Sequence, residues 1–174
     1  LALAYGAIAN EGVLMEPMLV REIRGAREGD RRACTPRATR RVFGAATARL
    51  LCEMLTAVVD SGTARAARVP GLAIAGKTGT AQKYDAASGT YGRGMYLSSF
   101  AGFVPAGDPC LVGVIVIDEP RGGHYYGGDV AAPVFREVVK DLRRLPHGPL
   151  DPGLSQVAAR PPAPAPAPVT VPDL

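Results

Sequence analysis

The sequence predicts an α+β fold, an antiparallel sheet with helices packed on it, and three observations predict it. Ala45 to Asp60 and Asp129 to Leu145 repeat apolar residues at helical steps. Leu72 to Gln82, Tyr96 to Val104 and Leu111 to Asp118 are short apolar or β-branched runs bounded by Gly, Pro and Asp, the signature of strands. The last two are joined by Pro105-Ala106-Gly107-Asp108-Pro109, a loop of turn-forming residues short enough to make them antiparallel neighbours.

The elements follow in order. Leu1, Tyr5 and Ile8 stand at helical spacing among alanines, and Asn10-Glu11-Gly12 is turn chemistry, so the chain opens on the end of a helix. Val13 to Ile23 is extended with Pro17 inside it, an edge strand or irregular strand pair, and runs into a polar, basic loop from Gly25 to Arg41. In the helix Ala45 to Asp60 the apolar residues are Ala48, Leu51, Met54, Leu55, Val58 and Val59, and Ser61-Gly62 stops it. After the third strand, Arg121 to Gly128 is a loop rich in glycine and tyrosine, of the kind that lines sites. Asp129 is placed to cap the final helix, Pro133 fits its first turn, and Val134, Val138, Leu142 and Leu145 form one apolar stripe.

Composition bounds the function. With 174 residues, 47% hydrophobic and 21% charged, the chain can build one core of ordinary size. The division expected is a folded part over 1–145 and a tail over 146–174, whose Pro/Ala run has nothing to bury and is expected to be disordered. The net charge of +4 comes with arginines crowded between Arg21 and Arg41. No Trp is present and no aromatics interleave with the arginines, so nucleic acid is not an expected partner. No stretch matches a membrane span or a signal peptide. Cys34, Cys52 and Cys110 form no metal or redox pair, and Cys52 and Cys110 read as small buried hydrophobes. His124 and His147 have no second ligand at metal spacing, so no metal and no cofactor are expected.

One string fits two patterns. Gly71-Leu72-Ala73-Ile74-Ala75-Gly76-Lys77-Thr78 satisfies the phosphate-loop spacing G-x-x-x-x-G-K-[ST], which would make this a nucleotide-binding protein. That loop needs a buried strand before its first glycine and a helix after its lysine, so that free amides converge on phosphate. Here Ala66 to Pro70 is a poor strand, and Thr78-Gly79-Thr80-Ala81-Gln82 a poor helix start. The other pattern is Lys77-Thr78-Gly79. On an edge strand bordering a cleft, a cation, the hydroxyls of Thr78 and Thr80 and bare amides would meet an anionic peptide end, with Gly79 letting it approach the backbone.

Several strings in the same order resemble the C-terminal half of a class B penicillin-binding protein transpeptidase domain, of the serine β-lactamase-like fold. They are Ala75 to Gln82, Ser99 to Pro105, Val116-Ile117-Asp118-Glu119-Pro120, Tyr125-Tyr126-Gly127-Gly128 and Ala131 to Phe135, together with Leu1 to Leu14 and Val59 to Thr63. The Ile-Asp-Glu-Pro and Tyr-Tyr-Gly-Gly strings are nearer the division-specific branch than the elongation branch. The resemblance implies a peptidoglycan D,D-transpeptidase acting in cell wall and septum synthesis through an acyl-enzyme. It implies peptidoglycan stem peptides as substrates, β-lactams as inhibitors, divisome membrane proteins as partners, and work at the extracytoplasmic face of the bacterial membrane.

By motif, Lys77 would lie beside the nucleophile, Thr78, Gly79 and Thr80 would hold the substrate carboxylate, and the Thr80 amide would donate to the oxyanion. Tyr125 and Tyr126 would wall the cleft, or else simply pack the loop. The sequence departs from the family in one respect: no serine begins S-x-x-K or S-x-N, the fourth residues from Ser61, Ser88, Ser98, Ser99 and Ser155 being Ala64, Tyr91, Ala101, Gly102 and Ala158. The nucleophile and any membrane anchor are therefore expected upstream, in a longer protein, and this chain alone is expected to be inactive. A non-catalytic peptide- or penicillin-binding module and a serine β-lactamase stay open as alternatives.

Overall fold

The computed structural model describes residues 1–27 and 30–151. In chain order its elements are α1 (Ala2–Ala9), β1 (Val13–Met15), β2 (Glu22–Arg24), β3 (Arg31–Ala33), β4 (Ala38–Arg41) and α2 (Ala45–Asp60). A 3-10 turn (Arg65–Ala67) follows, then β5 (Ala75–Asp85), β6 (Thr90–Val104), β7 (Leu111–Asp118), α3 (Gly127–Val130) and α4 (Ala132–Arg144). The expected α+β architecture is present: β5, β6 and β7 form an antiparallel sheet in that order, with helices on both faces.

Strand alternation sorts the sheet into two faces. On one, Phe100 packs with Phe135 of α4, ring centroids 4.7 Å apart, in a cluster that includes Val59, Ala64, Val69, Ile74, Val104 and Val139. On the other, Ala75 and Phe103 meet Tyr5 and Ile8 of α1 and Cys52 and Leu55 of α2. Each fully buried Phe or Val removes apolar surface from water for about 1.5–3 kcal/mol, so these two clusters fix where the helices lie.

A row of glycines sets the depth of α4. The register pairs Gly76 with Gly102 and Gly102 with Gly113, so three adjacent strands are bare at one level. The Phe100 ring occupies the space a Cβ would need at Gly76 and Gly102, and the Phe135 ring lies 2.7 Å from the Cβ position at Gly113. Side chains in this row would lift both rings off the sheet.

Four expectations are corrected. The basic segment Gly25 to Arg41 is not a loop: β2 pairs with β3, and β4 pairs back to β1. These strands show no apolar alternation because β2, β3 and β4 bury no side chain and β1 buries Val13 alone, so no continuous apolar face selects one. The stripe of α4 is rotated: Ala132, Phe135 and Val139 are buried, while Val134 and Val138 are each 42% exposed and Leu145 51%. In α2, Met54 likewise faces out, at 55%. Asp129 belongs to α3, α4 starts from Ala131 without a side-chain cap, and Pro133 does fall in its first turn.

Smaller differences also have physical causes. The strand expected from Leu72 begins at Ala75, because Val69 and Leu72 bridge a tight turn in which Gly71 has φ +74°. Cys52 is half-buried, but Cys110 is exposed, its Sγ 3.0 Å from the Pro149 carbonyl. That contact belongs to a last turn in which Leu150 is buried against the α4 cluster, inside the segment expected to be tail. The remainder of that tail, 152–174, lies outside the described residues.

Gly102→Ala is expected to destabilise the protein by roughly 1–3 kcal/mol, as overpacking of a filled core does. Its Cβ would stand 2.7 Å from the Ala75 carbonyl oxygen and 2.9 Å from the Phe100 ring. Chemical denaturation measures the loss; a midpoint equal to the parent's would show that the glycine row is not a packing constraint.

Candidate active site

The Lys-Thr-Gly string lies on β5, an edge of the sheet among the described residues, since β5 pairs with β6 on one side only. The strand runs straight through Lys77 and Thr78 to Asp85, with no helix springing from the lysine. The phosphate-loop reading therefore has no converging amides or helix N-terminus to bind phosphate and is set aside.

Thr78 and Thr80 leave β5 from the face of Phe100, whereas Lys77 and Gly79 leave from the opposite face. The cation and hydroxyls nevertheless converge. The exposed Lys77 side chain turns round the strand edge, its Nζ donating to the Thr78 carbonyl at 2.9 Å and reaching Thr78 Oγ1 at 3.4 Å. Thr78 Oγ1 also shares a 2.9 Å hydrogen bond with Thr63 Oγ1. On the far face a Cβ at Gly79 would come 2.6 Å from Ser99 Oγ, so a side chain there would turn that hydroxyl aside.

The Gly/Tyr loop is latched to the same strands. The Gly127 amide donates to Thr80 Oγ1 at 3.0 Å, and the buried Ser98 hydroxyl donates to the Tyr125 carbonyl. A Cβ on Gly127 would come 2.5 Å from the Gly79 carbonyl oxygen and nearer still to that of Ser99. A Cβ on Gly128 would meet the Thr63 carbonyl oxygen at 2.5 Å. Because Thr80 Oγ1 accepts from Gly127, its own proton is left to donate outward.

Tyr125 stacks on Tyr96 with centroids 4.1 Å apart and planes 11° from parallel, and Tyr126 leans on Tyr125 at 4.5 Å. The Tyr125 hydroxyl donates to that of Tyr126 at 3.2 Å. That bond and the neighbouring phenol push the Tyr125 pKa up to about 12, so this phenol keeps its proton below that range and its ring meets ligands as an apolar face with a hydroxyl tip. The start of this loop is also held: Lys83 bonds Asp118 at 2.8 Å and Glu119 at 2.7 Å, which raise its pKa.

The fold thus brings Lys77, Thr78, Gly79 and Thr80 together with the loop bearing Tyr125 and Tyr126. Sequence reading missed Thr63, Ser98 and Gly127 as members, and Tyr96 as the base of the aromatic stack. Their only signal is small, hydroxyl-bearing or aromatic residues in strings whose partners lie 15 to 47 positions away, as Thr63 does from Thr78 and Thr80 from Gly127.

Residues 1–140 match the penicillin binding protein transpeptidase domain family, and the chain belongs to it. It is 37% identical over 139 residues to stage V sporulation protein D of Bacillus subtilis, covering 79% of this chain and 21% of that protein. It is 40% identical over 149 residues to a probable peptidoglycan D,D-transpeptidase, PbpC, of Pseudomonas aeruginosa, covering 83% and 24%. Among solved structures it resembles penicillin-binding protein 3 of Mycobacterium tuberculosis in complex with aztreonam, with TM-score 0.72 and 36% identity over 82% of this chain and 33% of that one. The chain spans about a fifth to a quarter of the length of the curated relatives it matches.

Gly127→Ala is expected to break the bond to Thr80 and push the loop away from the sheet, because the obstructing atoms are backbone carbonyls. In the complete protein its rate of labelling by fluorescent penicillin should fall by about tenfold or more, as a misplaced binding wall costs. Labelling at the parent rate would show the latch to be dispensable. A second measurement concerns Tyr125: site-resolved NMR titration should find its phenol deprotonating near pH 12, later than an unperturbed tyrosine. The folded form then binds the proton longer than the unfolded one, so stability falls as pH rises through that window. Tyr126→Phe should bring the transition down toward 10, and an unmoved transition would remove the hydrogen bond as its cause.

Proposed function

We propose that this chain is the C-terminal part of a class B peptidoglycan D,D-transpeptidase, with 1–145 and the turn that buries Leu150 forming part of its catalytic domain and the Pro/Ala-rich remainder a tail. The observation that carries it is the Lys77 ammonium folded over the β5 edge onto Thr78, beside a Thr80 hydroxyl whose proton is free. A cation and donor hydroxyls on one strand edge suit the carboxylate of a peptide ending in D-Ala.

In the complete enzyme a serine oxygen, contributed by the remainder of the protein, attacks the penultimate D-Ala carbonyl. The resulting oxyanion is met by the Thr80 amide. Collapse breaks the peptide bond, the terminal D-Ala leaves with a proton on its amine, and an ester to serine remains. An amine on a neighbouring strand then attacks that ester, forming the new peptide bond and returning the proton to serine. Lys77 supplies positive potential beside the serine and the departing carboxylate. Thr78, oriented by Thr63 and Lys77, and Thr80 hold that carboxylate, while Gly79 admits the peptide backbone. Tyr125 and Tyr126 flank the substrate's apolar part.

A β-lactam carries the same carboxylate and an acylating carbonyl, so it would enter the same edge and trap the ester. Support comes from the Mycobacterium tuberculosis relative, solved with aztreonam and with ampicillin. The substrate places the reaction at the extracytoplasmic face of the bacterial membrane. No helix among the described residues is long and apolar enough to cross a membrane. A division role with divisome membrane proteins as partners is favoured by the FtsI homologue among the relatives.

In the complete protein, Lys77→Ala is expected to abolish penicillin acylation while leaving the circular dichroism spectrum unchanged, since the side chain is exposed. Residues 1–174 alone are expected neither to take the label nor to release D-Ala from a D-Ala-D-Ala peptide. Labelling of Lys77→Ala at the parent rate would remove the lysine's role.

A further inference from the structure

A second groove lies apart from β5's reactive edge and shares none of its residues. It encloses about 680 Å3, within the range of small-molecule sites, between the end of α2, the 3-10 turn, the approach to β5 and α4. Its lining holds three guanidinium groups, Arg65, Arg68 and Arg136, against one carboxylate, Asp60, over apolar residues that include the buried Val59 and Ile74.

The arginines are presented by design of the backbone. Ala64 and Ala67 are fully buried and anchor the 3-10 turn, and in such a turn side chains three residues apart eclipse, so Arg65 and Arg68 project as a pair. Neither forms an ion pair among the described residues. Arg136, half-buried on α4, shares Glu137 with Lys140, at 2.9 and 3.1 Å, which leaves that end of the groove positive as well. Arg143 braces the rim by donating to the Pro70 carbonyl at 2.9 Å. Guanidinium pairs of this kind match the two oxygens of a carboxylate or phosphate, and the apolar floor favours an oxyanion carried on an apolar stem.

We propose that this groove is a second, anion-selective binding site that takes a short peptide acid. Its carboxylate lies between Arg65 and Arg68, its apolar part over Pro70 and Leu72, which keep surface open to the groove, and its amide or amine nitrogen toward Asp60. The site is independent of the catalytic reading, since none of its groups touches Lys77 or Thr78.

Saturation-transfer NMR on the complete protein tests this with N-acetyl-D-alanine, its neutral amide and inorganic phosphate as probes. The acid is expected to bind and the amide not. Binding should weaken about tenfold or more in the Arg65→Gln, Arg68→Gln double variant, the size of a lost charge-assisted hydrogen bond, and persist in Lys77→Ala. Because both arginines are exposed, each single variant gives the same reading if the double variant is unstable. Undiminished binding in the arginine variants overturns the site. Loss of binding in Lys77→Ala alone places the carboxylate at the β5 edge and also overturns it. Phosphate binding as tightly as the acid would overturn the peptide assignment, since it would show that the apolar floor contributes nothing.

Discussion

The bare glycine row across β5, β6 and β7 is the constraint on which the remainder hangs. Phe100 lies over Gly76 and Gly102, and Phe135 over Gly113, so α4 seats close to the sheet. α4 follows α3 directly, and α3 begins at Gly127, the residue whose amide reaches Thr80. A helix held at a different depth would carry Gly127 out of hydrogen-bond reach. The packing of two aromatic rings thus sets the position of a loop at the reactive edge.

That edge combines rigidity with access. Its backbone belongs to a strand paired on one side, and its hydroxyls are held by partners from three places: Thr63 after α2, the ammonium of the neighbouring Lys77, and Gly127 at the start of α3. Polar groups pre-oriented in this way need not reorganise as charge develops on a substrate, which is where such sites draw their advantage. The aromatic stack of Tyr96, Tyr125 and Tyr126 closes one flank with ring faces.

Charge on the molecule is distributed with a purpose that differs by region. The arginines between Arg21 and Arg41 sit on two exposed ribbons, where Glu22 is paired by Arg24 and by Arg31. Those of the 3-10 turn and α4 instead converge on an enclosed groove with an apolar floor. The same residue type therefore means a solvated face in one place and a candidate binding site in the other. Convergence makes the difference, because guanidinium groups facing one point can grip the oxygens of one oxyanion together, which scattered ones do not.

The sequence alone determined the α+β class, the bounds of α2 and β7, the antiparallel pairing of β6 and β7, and the Lys77 to Thr80 string. Each rests on local periodicity, a short loop or a contiguous motif, and such signals survive without knowledge of what packs where. Only the tertiary structure decided the rest. Which stripe of α4 is buried depends on the Phe135 seat over Gly113, since Val134 and Val138 are as apolar as the residues that won. β1 and β2 fall in the stretch read as extended, whereas β3 and β4 were illegible because, with no side chain buried, their pairing rests on backbone hydrogen bonds that any side chains permit. Thr63 and Gly127 joined the site through single contacts between distant segments, and the groove arose from arginines of two elements that no spacing rule connects. Folding alone brings such groups together, because a contact across the chain leaves no period in the sequence.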